Sequence, residues 1–109
     1  MQPQKSLQAI PLGDEISDNS VRQMFHRFVE LLSGIDGRVR LQTSRVEVRF
    51  FLGDEFLCRL APYRELFHVQ IGDAPAWEAR VRTHDGYAAA VDRVLQRYLE
   101  VYASAASHG

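Results

Sequence analysis

The 109-residue chain has few or none of several sequence features that mark particular classes of protein. Its one cysteine, Cys58, leaves no intramolecular disulfide and no all-cysteine zinc site. No stretch reaches the roughly 18 apolar residues of a membrane span, and the first residues lack the basic start and apolar core of a signal peptide. A net charge of −1 argues against a globally basic nucleic-acid-binding protein. We therefore expect a cytoplasmic, single-domain protein with no membrane association.

Lysine is also scarce, and the chain has one lysine, Lys5, and twelve arginines. Arginine has a planar guanidinium that makes two parallel hydrogen bonds to an anion, whereas the lysine ammonium acts as a point charge. A GC-rich genome, which favours arginine codons, would produce the same bias without any functional cause. The composition alone does not separate the two explanations.

Recognisable catalytic and metal-binding motifs are absent from the sequence. There is no phosphate-binding glycine loop, dinucleotide fingerprint, paired zinc histidines or nucleophile elbow. His26 and Glu30 lie four residues apart, which suits a surface pair, and two ligands are too few for zinc. His68 falls in the middle of a predicted strand and could act as a base, since histidine as a residue type can change charge near neutral pH. No cofactor or metal is expected, and an enzyme is not favoured.

The sequence predicts two amphipathic helices, one before and one after the strand region. Apolar residues recur at helical spacing in the first, which is predicted over residues 20–33, with a capping box at Ser20 and Asp18 as an alternative N-cap. The second helix begins near Thr83 or Asp85, since either side chain can cap it. Around these elements we predict an extended or disordered arm over 1–17, a single α+β domain over 18–103 and a frayed tail over 104–109.

Between the helices the apolar period changes to two, which is typical of strands with one buried face. The short turns make the sheet antiparallel and consecutive. The predicted fold is therefore α+β, with an antiparallel sheet of about four strands in meander order and two helices packed on one face (α-β-β-β-β-α). The predicted strands are Arg45–Leu52, Phe56–Ala61, Leu66–Ile71 and Trp77–Thr83, with 38–41 as a short extra strand.

Two helices can cover only one side of such a sheet, so the other side should be open. Both Glu47 and Glu78 are expected on this side. The candidate binding residues there are Arg49, Phe51, Leu57, Arg59, His68, Gln70, Arg80 and Arg82.

The facing of residues 56–61 depends on the turn at Gly53-Asp54. A two-residue turn would place Leu57 and Arg59 on the core side, and burying an arginine is costly. A three-residue loop or a bulge would instead bury Phe56, Cys58 and Leu60 and leave Leu57 and Arg59 on the open side. The second arrangement is favoured for that reason.

Three interpretations of the open side remain. It can be a homodimer interface, a platform for an anionic ligand or single-stranded nucleic acid, or a solvated surface with cross-strand ion pairs. We predict a non-catalytic interaction module that self-associates, with ligand or nucleic-acid binding as the alternative and a small enzyme using His68 as the least favoured hypothesis.

The stretch from Val39 to Tyr102 contains a series of predicted strand segments followed by a helix. Its segments are RVEVRFF, FLCRLAPY, ELFHVQI, WEARVRT and DGYAAAVDRVLQRYLEVY. In these it resembles a group of small bacterial α+β domains of unknown function. The resemblance implies an α+β fold and a binding or accessory role, and it brings with it no catalytic residue.

Overall fold

The computed structural model describes residues 11–108, which alternate between helical and extended segments as the sequence periodicity requires. The elements in chain order are a 3-10 helix (Pro11–Glu15), α1 (Asn19–Ile35), β1 (Val39–Thr43), β2 (Val48–Leu52), β3 (Glu55–Pro62), β4 (Phe67–Ile71), β5 (Trp77–Val81) and α2 (His84–His108).

The strands form one antiparallel sheet in the order β1-β2-β3-β4-β5, which confirms the α+β meander. Within residues 11–108 the sheet has five strands rather than about four, because residues 39–43 pair along their whole length with β2. In contrast, β2 begins at Val48, not at Arg45. A turn in which Ser44 N donates to Glu47 O (2.9 Å) precedes it and leaves Val46 exposed.

Helix α1 packs its apolar stripe against the sheet. The rings of Phe25 and Phe28 meet Phe67 of β4 edge-on, with centroids 5.4 and 6.3 Å apart. Asp18 caps the helix, since its Oδ1 accepts a hydrogen bond from Val21 N at 3.0 Å. The alternative cap is therefore the one that forms, and Ser20 lies inside the helix.

Helix α2 packs on the same side of the sheet and shares one core with α1. Its buried residues Ala90, Val94 and Val101 belong to the same apolar cluster as the inward side chains of β2 to β5. Thr83 Oγ1 accepts from Gly86 N at 3.1 Å, so Thr83 rather than Asp85 caps this helix. The helix continues to His108, beyond the predicted start of the tail.

The last part of the predicted N-terminal arm is folded. Leu12 and Ile16 are buried, and Ser17 N donates to Arg64 O at 2.7 Å. Gly13 permits this packing because a Cβ there would lie 2.9 Å from the Phe25 ring. Residues 11–17 are thus not extended, since the small core uses their apolar side chains; residues 1–10 lie outside the described part.

The β2–β3 hairpin combines two features that the sequence presented as alternatives. A two-residue turn pairs Phe51 with Phe56, and a register shift then pairs Phe50 with Cys58. Leu57, the residue between, has no partner on β2 and is fully buried. The predictions of an inward Phe56 and an outward Leu57 are therefore wrong, because the bulge lies one residue beyond the turn.

Beyond the bulge the predicted facing holds. Cys58 and Leu60 are buried in the core, while Arg59 pairs with Arg49 on one side and Gln70 on the other, facing away from the helices. One extra residue thus keeps the arginine out of the apolar core.

Candidate functional site

The side of the sheet opposite the helices carries the candidate site. The shortest dimension of the described chain is 19 Å, which fits one sheet and one helix layer. Both helices occupy the same layer. We call the uncovered side the open face, and its strand residues are Arg40, Gln42, Arg49, Phe51, Phe56, Arg59, Ala61, His68, Gln70, Glu78 and Arg80.

Two of the predicted binding residues lie elsewhere. Leu57 is in the core for the reason given above. Arg82 follows the end of β5 and pairs with Glu65 at 3.4 Å, so it lies at the sheet end and not on the face. The remaining predicted residues lie on the open face: Arg49, Phe51, Arg59, His68, Gln70 and Arg80.

Glu47 organises the arginines at the centre of the open face. Arg49 and Arg59 are directly opposite each other, an unfavourable like-charge pair on its own. The Glu47 carboxylate contacts both, with Arg59 Nη1 at 3.4 Å from Oε1. Arg59 Nε is buried and has no hydrogen-bond partner among the described residues. Arg59 therefore retains unused hydrogen-bonding capacity.

A second polar group lies on β4 and β5. His68 Nε2 is 3.0 Å from Glu78 Oε1, and the imidazole is largely buried while the carboxylate is about half exposed. Arg80 pairs directly with His68 across the strands and is exposed. Within residues 11–108 its guanidinium makes no hydrogen bond or ion pair, whereas those of Arg49 and Arg59 both contact Glu47.

The other end of the face is aromatic. The Phe51 and Phe56 rings pack edge-on with centroids 5.7 Å apart, and the Arg40 guanidinium lies 5.4 Å from the Phe51 ring. Arg40 Nη2 also donates to Gly53 O at 2.9 Å. Sequence reasoning missed Arg40 because β1 was only an optional strand, and it missed Phe56 because the bulge position was unknown.

Two adjoining hollows lie at the His68 end of the open face. They measure about 480 and 390 Å³ and share Arg59, Tyr63 and His68. The larger one, which we call the Arg59 hollow, is completed by Leu66 and Arg80. Tyr63 is 57% exposed at its rim, and Val46 in the second hollow is 67% exposed. Cationic and apolar groups therefore meet in one concave region.

The other chemical groups of interest are separated from this region. Cys58 is buried in the core, where burial raises the pKa of its thiol, and it lies on the opposite side of the sheet from His68, as expected. Among residues 11–108 no group of three metal-ligating side chains occurs. No helix of that part is long and apolar enough to cross a membrane.

A polar cluster on the helix side joins the C-terminal end of α1 to the second half of α2. Asp36 accepts hydrogen bonds from the Arg38 side chain and backbone and from Tyr98 Oη at 2.8 Å. These hydrogen bonds, above all those from the Arg38 side chain, hold the pKa of Asp36 well below its usual range. The hydrogen bond between Tyr98 and Asp36 raises the pKa of Tyr98. Arg38 also lies 5.5 Å from the Tyr102 ring. This cluster ties two helices together, and nothing in the local sequence pattern signalled it.

Comparisons with protein-family models, curated proteins and solved structures found no match to this chain. The resemblance to small bacterial α+β domains stays a prediction.

Proposed function

We propose that this protein is a non-catalytic interaction module that binds a second copy of itself through the open face. The observation that carries the proposal is a five-stranded sheet face on which neither α1 nor α2 packs, and which the 3-10 helix adjoins at its His68 end. Its side chains are rich in arginine and aromatic residues, which are enriched at protein interfaces. The exposed apolar residues Val46 and Tyr63 stand at its rim.

The size of the face sets how much of it a partner must cover. Five strands about 4.8 Å apart and about 17 Å long give a flat footprint on the order of 400 Å². A standard interface buries about 800 Å² on each partner. The side chains that project from the strands, together with Val46 and Tyr63 at the rim, supply the remaining buried area. A second copy should therefore contact the rim as well as the strands.

The charges on β5 suit a twofold-symmetric pairing. Glu78 and Arg80 are two residues apart on the same face, and both are exposed. In such an interface each surface meets its own copy in the opposite orientation. Arg80 can therefore face Glu78 of the second copy, and the symmetry produces this ion pair twice.

Single-stranded nucleic acid fits the face less well. Binding of this kind relies on exposed aromatic rings that stack with bases. Here Phe51 and Phe56 are partly buried and pack against each other, and Arg40 lies over the Phe51 ring. The geometry favours a protein partner over a nucleic acid.

Sedimentation equilibrium of charge variants tests the proposal. We expect Arg80→Glu and Glu78→Arg each to weaken the wild-type dimer roughly tenfold or more, because close interfacial charge pairs couple by at least about 1.5 kcal/mol. The exchange of both residues in one chain should restore the dimer. Arg82→Glu is the matched control, since it removes an exposed arginine that lies off the face. A wild-type protein that stays monomeric at high micromolar concentration would overturn the proposal.

A further inference from the structure

We propose that the Arg59 hollow binds a small carboxylate attached to a flat apolar group. This inference goes beyond self-association, because it assigns a ligand class to a concave site and not a partner to a surface. It concerns the monomer, in which Arg80 is not paired with Glu78 of a second copy. The site combines Arg59, Arg80 and His68 with Tyr63 and Leu66 in a space of about 480 Å³. That volume lies within the range of small-molecule pockets.

The charge balance around the hollow selects a single negative charge. Three arginines, Arg49, Arg59 and Arg80, stand against the two carboxylates of Glu47 and Glu78. Over these five side chains the excess is one positive charge. A doubly charged phosphate would leave one negative charge uncompensated, whereas a carboxylate is matched.

The hydrogen-bonding capacity of the hollow also fits a carboxylate. Arg80 has no acceptor among the described residues. The Nε of Arg59 has no hydrogen-bond partner there either, and its Nη1 makes a long hydrogen bond of 3.4 Å to Glu47. Unsatisfied buried donors in folded proteins usually find an acceptor in water or a ligand. The planar guanidinium matches the two oxygens of a carboxylate.

The apolar walls determine the rest of the ligand. Tyr63 is more than half exposed and Leu66 is partly exposed beside it. A flat hydrocarbon group placed between these side chains would remove apolar surface from water on both molecules. An aromatic carboxylate fulfils the charge and the apolar requirement together, and acetate fulfils only the first.

Titration of the protein with benzoate, followed by NMR, tests this assignment. We expect a dissociation constant on the order of 1 mM for a ligand of this size, with shifts at His68 and its neighbours. Uncharged benzamide should bind at least roughly tenfold more weakly, since it lacks the ion pair. Arg80→Gln should weaken benzoate binding roughly tenfold, and the matched exposed variant Arg82→Gln should leave it unchanged.

Equal binding of benzoate and benzamide, equal loss in the Arg80 and Arg82 variants, or no binding at about twenty times the expected constant would overturn the assignment. The titration is run at a protein concentration where sedimentation shows only monomer. A failure of self-association therefore leaves this test intact, and a failure of benzoate binding says nothing against the dimer.

Discussion

Replacement of Leu57 by alanine tests the bulge that decides which side chains reach the open face. Leu57 is 0% exposed although the simple alternation of β3 would turn it outward. Leucine-to-alanine changes in protein cores cost about 3–5 kcal/mol, because they lose buried methyl groups and leave a cavity. For a domain of this size each kcal/mol lowers the melting temperature by about 4–8 °C. We therefore expect Leu57→Ala to lower it by at least about 12 °C.

The matched control is Leu99→Ala, which makes the same chemical change at a leucine that is 60% exposed on α2. Its free energy of unfolding should change by no more than about 0.5 kcal/mol. Urea unfolding of both variants, with an unchanged dependence on denaturant, gives the comparison. If Leu57→Ala cost less than about 1 kcal/mol, like its control, Leu57 would not be in the core and the described facing of β3 would be refuted.

Two further predictions concern the ends of α1. Asp18→Ala should destabilise the protein by about 0.5–2 kcal/mol in urea unfolding, because it removes the N-cap acceptor, whereas Ser20→Ala inside the helix should have little effect; equal effects would contradict the assigned cap. Asp36 has a folded-state pKa below its unfolded value, so its contribution to stability is present above about pH 4 and is lost as the pH falls through lower values. Thermal unfolding of Asp36→Asn from pH 6 to 2 should therefore show a smaller loss on acidification than the wild type, and parallel curves would exclude this linkage.

Local patterns account for much of the fold. The helical spacing of apolar residues such as Phe25 and Phe28 predicted α1, and the alternation of Phe67, Val69 and Ile71 predicted β4. These patterns are local because a helix or strand must turn its apolar residues to one side before it can bury them. The α+β meander follows from short turns between consecutive strands.

Features that depend on partners distant in the chain were not predictable in the same way. Strand β1 is recognised as a full strand only through its pairing with β2, and the contact between Asp36 and Tyr98 joins residues 62 positions apart. The 3-10 helix at Pro11–Glu15 is stabilised by burial of Leu12 in a core built by other elements. A segment of about five residues is too short for its apolar periodicity to predict its structure, so contacts with distant residues decide it.

The sequence by itself determined that two helices share one side of an antiparallel sheet and that an arginine-rich surface remains on the other. Only the tertiary structure decided that Leu57 belongs to the core, that Arg82 lies at the sheet end and that Arg40 and Phe56 join the open face. For Leu57 and Phe56 the physical reason is the bulge beside the Gly53-Asp54 turn, because a single residue without a cross-strand partner changes the facing of its neighbours. For Arg40 and Arg82 it is the extent of β1 and β5, which pairing with the neighbouring strands sets. The same bulge keeps Arg59 out of the apolar core, since burial of an unpaired guanidinium there would be costly.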